Sequence, residues 1–298
     1  MIGGEGLGKR PYLDRPAGIG GRARAMFTQR KNRTLAHAAG TTLGLIYHQT
    51  VYDLRNDHRN AVVGLLLTIL QSAIFLLAFL LIYLIMGVRH SPIRGDFTLY
   101  LLSGIFLFMV HVQATGAVSG SHSVTGGLIK HEPLSPAILI ASAALAVLYR
   151  QTIASIAILW LYHVMVAPIP VEFWPGCLAM YLLAWFSGGC IGLVFLGIRP
   201  WSPRVSRLVT TAFQRVNMFG SGKMFVGNVV PNVLLPWFIW NPLFHIIDQQ
   251  RGYLFINYTP LKTDPLYALW FSLGALMLGL LINFTTRKYE SLSWSAAD

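Results

Sequence analysis

Apolar residues in this chain come in long runs rather than in alternation. Stretches at 61–86, 97–119, 137–166, 176–198 and 266–286 are almost continuously hydrophobic, each near the roughly 20 residues that a helix needs to cross the hydrocarbon core of a bilayer. A sixth and weaker stretch, 203–221, carries Arg207, Arg215 and Asn217. A segment in lipid satisfies its own backbone as a helix, so the pattern predicts an all-α polytopic membrane protein with six transmembrane helices. Ahead of the first run, Leu43, Ile46, Tyr47, Thr50, Val51 and Leu54 recur at three- and four-residue spacing among polar residues. That periodicity predicts an amphipathic helix over 36–59, lying at the cytoplasmic interface or packing on a neighbouring subunit. Residues 1–35 are rich in Gly, Pro and Arg and sustain no period. They read as a disordered basic cytoplasmic tail, and without an apolar core they do not make a secretory signal. The membrane domain is then 60–298.

One stretch fits neither a span nor a free loop. Residues 222–264 are too apolar for a loop, and Pro231, Pro236 and Pro242 break any single span. Two apolar pieces, 224–235 and 243–253, are each about half a bilayer long. Irregular backbone at membrane depth survives where protein or a water-filled cavity satisfies it. The expectation is a re-entrant helix pair on the outer face, placed before the last span and lining a pathway.

Composition agrees with the pattern. Of 298 residues, 54% are hydrophobic and 11% charged, against about a quarter charged in soluble domains. The net charge of +12 would suggest nucleic acid in a soluble protein. Here the basic residues mostly flank apolar runs, where they set topology, and no nucleic-acid partner is expected. With the N-terminus inside, sixteen Lys and Arg fall on inner segments, five on outer ones, and Arg150 and Arg215 within spans. The asymmetry places both termini in the cytoplasm.

Candidate chemistry is sparse. Residues 3–10, GGEGLGKR, and 220–225, GSGKMF, imitate a phosphate-binding loop, but the position after the lysine is Arg10 in one and Met224 in the other, where Ser or Thr should meet magnesium. The nine histidines do not pair with Cys or carboxylates at zinc-site spacing, so no metal site is expected. Cys177 and Cys190 are thirteen residues apart in one run, about 20 Å along a helix, too far for a disulfide. Arg150, in LAVLYRQTIAS, stands out. Arg at mid-bilayer is expensive and usually faces a bundle interior or water, unless the helix starts in cytoplasmic water and Arg150 snorkels.

The string SGKMF…LP…NPLFHIIDQQRGYLF…LKTDPLYALWFSLGALMLGLL resembles the membrane subunit of bacterial ABC exporters of capsular polysaccharide. The matching positions are Ser221, Gly222, Asn241, Pro242, Leu243, His245, Asp248 and Arg251; the acidic position is more often Glu in that group, and Lys223 stands where an apolar residue is usual. GLIKHEPLSP at 127–136 looks like the cytoplasmic turn on which such exporters dock their ATPase, and LYRQT at 148–152 like their Arg-containing third span. The resemblance covers about 40–298. It implies two copies of this chain forming a pore in the bacterial inner membrane above two copies of a separate ATP-binding subunit. A lipid-linked polysaccharide would be driven outward, and periplasmic and outer-membrane export proteins could join. Neither ATP nor magnesium would be bound by this chain, and catalysis would rest on the partner. The implied pathway set is Tyr149, Arg150, Ser221, Gly222, Lys223, Trp237, Trp240, Asn241, His245, Asp248 and Arg251. The implied ATPase-coupling set is Leu128, Ile129, Lys130, His131 and Pro133. Competing readings are a permease for another glycan or a small molecule, a membrane-embedded glycan or lipid transferase, and a non-transporting scaffold.

Overall fold

A computed structural model describes residues 35–56, 61–87, 92–121 and 135–295. The chain divides into two units, Met1–Thr42 and Leu43–Asp298. In the first, the described residues 35–42 are the start of a helix; all that follows concerns the second. The tail at 1–34 and the coupling residues Leu128, Ile129, Lys130, His131 and Pro133 lie outside the described residues.

Helices account for about four-fifths of the described residues: α1 (Leu35–Asn56), α2 (Ala61–Ile85), α3 (Phe97–Gly120), α4 (Pro136–Met165), α5 (Trp174–Ile198), α6 (Pro203–Gly220), α7 (Leu235–Ile239), α8 (Pro242–Leu254) and α9 (Pro265–Ser295). Their starts have local causes. Asp96 caps α3 by accepting from the Thr98 and Leu99 amides at 2.6 and 3.1 Å. Asn241 caps α8 through the Leu243 amide at 3.0 Å. Proline begins α4, α6, α8 and α9, where its missing N–H is one the helix leaves unpaired anyway.

Among the described residues, five helices are long and apolar enough to cross a membrane: Val62–Ile85 in α2, Phe97–Gly120, Pro136–Met165, Trp174–Ile198 and Pro265–Thr286 in α9. These are five of the six runs expected, and the protein is a multi-pass helical membrane protein. The sixth run does form a helix, α6, but it falls outside that set. Its 18 residues extend about 27 Å, and Arg204, Arg207, Gln214, Arg215 and Asn217 interrupt its apolar surface.

α3 is the hub. It packs against α2, α4, α5, α6 and α8 and is buried along most of its length. α2 stands at the edge, exposing Val62, Leu66, Leu70, Ile74, Leu77, Leu81 and Leu84, an apolar stripe at helical spacing suited to lipid. The approach of α3 to α5 is set by glycines. A Cβ on Gly188 would run into the His111 carbonyl, and one on Gly192 would sit 2.7 Å from the Thr115 carbonyl. The Thr115 hydroxyl donates across the seam to the Gly188 carbonyl at 3.0 Å, the small-residue packing that membrane helices favour.

The expected re-entrant pair is only half present as helices. The piece at 243–253 lies within α8, which packs on α3, α5 and α9. The piece at 224–235 is irregular, with a single 3-10 turn at Gly227–Val229. The next helix, α7, is five residues long. The irregular backbone is held by side chains: Asn228 donates to the Thr259 carbonyl at 2.8 Å and accepts from the Leu261 amide at 3.0 Å, and the Lys262 ammonium donates to the Val230 carbonyl at 2.8 Å.

Candidate functional site

The expected pathway residues divide into a buried elbow and two exposed groups. The elbow is the turn between α6 and the 3-10 segment, together with the α8 face beneath it. Gly222 adopts φ +72, a left-handed conformation that glycine accepts without strain, and its missing side chain leaves room for Phe244, 2.5 Å from where a Cβ would be. This turn drives Ser221 and Lys223 inward, and both are buried.

Arg251 is fully buried and holds the turn by its carbonyls. One guanidinium nitrogen donates to Gly222 at 2.9 Å and Phe225 at 2.6 Å; the other donates to Lys223 at 2.6 Å. The planar fork can meet several acceptors at once, and it stacks 4.1 Å over the Tyr100 ring. α3 admits it at Gly104, where a Cβ would lie 3.0 Å from both the guanidinium and the Lys223 backbone.

Asp248, one turn earlier on α8, serves the other side of the irregular segment. One carboxylate oxygen accepts from the Gly227 amide at 2.9 Å and the Tyr258 hydroxyl at 2.6 Å; the other accepts from the Thr263 hydroxyl at 2.9 Å. His245 continues the face. Its Nδ1 accepts from the Asp264 amide at 2.9 Å, which leaves Nε2 to carry the proton and donate to the Ile239 carbonyl at 2.7 Å. The ring is therefore neutral and joins the end of α7 to the start of α9. Asn241 donates to the Asn217 side chain at 2.7 Å and the Gly220 carbonyl at 2.9 Å, tying α8 to α6.

Lys223, the departure from the family pattern, is caged. Its ammonium donates to the Met218 carbonyl at 2.6 Å and lies 3.5, 5.0 and 5.3 Å from the ring centroids of Phe108, Phe79 and Phe75. A cation over aromatic faces is attracted by their quadrupoles. Seven of the eleven expected residues, Ser221, Gly222, Lys223, Asn241, His245, Asp248 and Arg251, thus come together. The five long polar side chains among them, Lys223, Asn241, His245, Asp248 and Arg251, all bond internally.

The other four lie apart. Trp237 and Trp240 are exposed, and the Trp240 carbonyl accepts from the Tyr267 hydroxyl at 2.9 Å. Tyr149 is exposed and Arg150 half-buried. Both line a groove of about 800 Å³ between α1, the first turn of α2 and the middle of α4. Its walls include Val51, Leu54, Leu145 and Leu148, and its second arginine is Arg55. The α4 segment carrying Arg150 therefore lies beside the start of α2.

Sequence reasoning missed the partners that make the elbow rigid: Tyr100, Gly104, Asn217, Tyr258, Thr263 and the three phenylalanines. Only Phe75 and Phe79, one helical turn apart, carry a local signal.

A multi-pass helical membrane protein with a side-chain-stapled elbow before its last helix is the class that these features define. No family model matches the chain. Two proteins of Escherichia coli, each called polysialic acid transport protein KpsM, are similar to it. One is 25% identical over 235 residues, covering 77% of this chain and 88% of the relative; the other is 24% identical over 236 residues with the same coverage. They bear out the resemblance to the membrane subunit of capsular polysaccharide exporters.

Proposed function

We propose that this chain is the permease subunit of an ATP-driven exporter that carries a lipid-linked polysaccharide across the bacterial inner membrane. The similarity to polysialic acid transport proteins over most of both chains carries the reading. In this account α6 completes a sixth crossing, both termini are cytoplasmic, and two copies form the pore. ATP and magnesium belong to a separate ATP-binding subunit that docks on the turn at 127–136. The α1 helix lies at the cytoplasmic interface, and α7 and α8 form the re-entrant element on the outer side.

Each part of the expected pathway then has a task. The groove holding Tyr149, Arg150 and Arg55 receives the lipid-linked end of the cargo, since a guanidinium matches a phosphate with two parallel hydrogen bonds. The buried elbow acts as a fixed strut that transmits movement of α6 to α8 and α9. Trp237 and Trp240 stand where the cargo leaves and offer faces on which sugar rings stack.

The test is purification of the tagged full chain from its host membrane. Co-purification of an ATP-binding subunit, with ATP hydrolysis in the complex, is the expected result. A chain that carries no ATPase but transfers sugar to a lipid acceptor would replace this reading with the transferase.

A further inference from the structure

A groove of about 530 Å³ opens between α4 and α9, lined by Val118, Ala141, Ala144, Gly189, Leu193 and Leu280 among others. All of its lining belongs to helices long and apolar enough to cross a membrane. Small residues hollow it: a Cβ on Gly189 would meet only the edge of Val118, at 4.0 Å. The polar groups in its walls are bonded to nearby backbone. The Trp185 indole N–H donates to the Ala144 carbonyl at 2.8 Å, and the Asn283 amide to the Leu193 and Gly279 carbonyls at 2.9 and 2.7 Å. What remains is surface that suits hydrocarbon. Along α5 the lining runs from Trp185 to Leu193, about 12 Å, which is within the roughly 15 Å of one leaflet.

One end of the groove is cationic. Arg199 follows Leu193 by six residues, about 9 Å along the chain. Its Nη1 donates to the Ser119 and Gly120 carbonyls at 3.3 and 3.0 Å, directly after Val118 of the lining, and its Nε and Nη2 have no partner among the described residues. Ser206 ties α6 to the Phe195 carbonyl at 2.8 Å and so brings Arg207 to the same end. Burial and the positive charge of Arg207 both lower the Arg199 pKa from its ordinary value. Arg207 is exposed and bonds only the Pro203 carbonyl of its own helix, at 3.4 Å. None of α3, α4, α5 and α6 contains Asp or Glu, so those helices offer the two guanidinium groups no counter-charge.

We propose that the groove is a fixed site for an anionic phospholipid of the surrounding membrane, one acyl chain lying between α4 and α9 and the phosphate received by Arg199 and Arg207. A guanidinium meets a phosphate with two parallel hydrogen bonds, and an anion between two like charges relieves their repulsion. An apolar trough that ends at a pair of cations has the layout of one lipid molecule, and a soluble anion would leave the trough unused. The inference needs only that these helices stand in a bilayer. It holds independently of the exporter reading, and the lipid is a resident of the protein rather than its cargo.

The test uses the purified full chain in mild detergent and phosphatidylglycerol carrying a diazirine in one acyl chain, with cross-linked peptides located by mass spectrometry after illumination. Adducts are expected to concentrate on residues 137–144 and 276–284. Unlabelled phosphatidylglycerol should suppress them at about tenfold lower concentration than phosphatidylcholine with the same chains, the advantage that two basic residues supply. Arg207→Gln should remove most of that advantage, and Arg207→Lys should keep most of it. Gly189→Leu and Ala141→Phe, which fill the groove from two sides, should abolish the adducts there while eluting from size exclusion as the parent chain does. Adducts spread evenly over the groove and the exposed stripe of α2, or equal competition by phosphatidylcholine, mean an unselective lipid shell and overturn the proposal. A groove without adducts, as when a second copy of the chain covers it, overturns it too. So do undiminished adducts in a folded, groove-filled variant. Suppression by inorganic phosphate as strong as that by phosphatidylglycerol would assign the cationic end to a soluble anion instead.

Discussion

Replacing Arg251 with Lys keeps the charge and removes the fork, which makes it an informative single change in the elbow. In the structure the guanidinium satisfies the carbonyls of Gly222, Lys223 and Phe225 from two nitrogens and lies over Tyr100. A lysine ammonium presents its donors from one point, so it can replace one of these bonds well and leaves the other carbonyls poorly paired. Each buried acceptor left without a donor is worth about 1–3 kcal/mol, and loss of the stacked guanidinium about 0.5–2 kcal/mol. Part of this is recovered because the lysine can lean toward one carbonyl. The net expectation is a loss of about 2–4 kcal/mol, large against the 5–15 kcal/mol that typically separates folded from unfolded domains. Unfolding of the purified full chain in mild detergent, titrated with denaturant, measures it, with exposed Tyr149→Ala as a control expected within about 0.5 kcal/mol. An Arg251→Lys chain as stable as the control would refute the role of Arg251 as the clasp of the elbow.

Asp248→Asn should also destabilise, by about 1–3 kcal/mol, since an amide cannot accept from Gly227, Tyr258 and Thr263 together; the same titration reads it. Gly188→Leu should abolish the close α3–α5 approach and lower the yield of folded protein in membranes, measured as the monodisperse fraction after extraction. Arg150→Lys should reduce export while stability holds, whereas undiminished export in both Arg150→Lys and Arg150→Leu would return Arg150 to a helix anchor. Charge reversal at Lys130 should uncouple ATP hydrolysis from export at normal protein levels. Cysteines placed at Leu261 and Trp201, both well exposed, should label from outside and from inside respectively; the reverse pattern would invert the topology.

The helices were legible because a bilayer asks for continuous apolar length, which needs no knowledge of partners. The run at 61–86 is helix Ala61–Ile85, and the run at 176–198 is helix Trp174–Ile198. The sixth run, expected as a span, forms a helix that is not among the apolar spans, and the reason lies in its tethers. Ser206, Gln214 and Asn217 look like defects in a span until their hydrogen-bond partners on α5, on α3 and at the cap of α8 are known. The elbow was legible only as a string of chemically capable residues. Three of the Arg251 partners are backbone carbonyls, which leave no mark in sequence, and the partners of Asp248 are an amide at 227 and hydroxyls at 258 and 263. The piece at 224–235 is apolar over about the length of a half-span helix. Pro231 and the internal tethers of Asn228 and Lys262 hold it irregular instead.

The central claim is that this chain moves a finished polysaccharide rather than making one. The most direct measurement is the location and length of surface glycan in the native host after deletion of the gene, with a plasmid copy restoring it. The account predicts that glycan disappears from the surface and accumulates inside at normal chain length, and that the plasmid copy returns it to the surface. Normal surface glycan in the deletion strain, or loss of the polymer both inside and out, would contradict it.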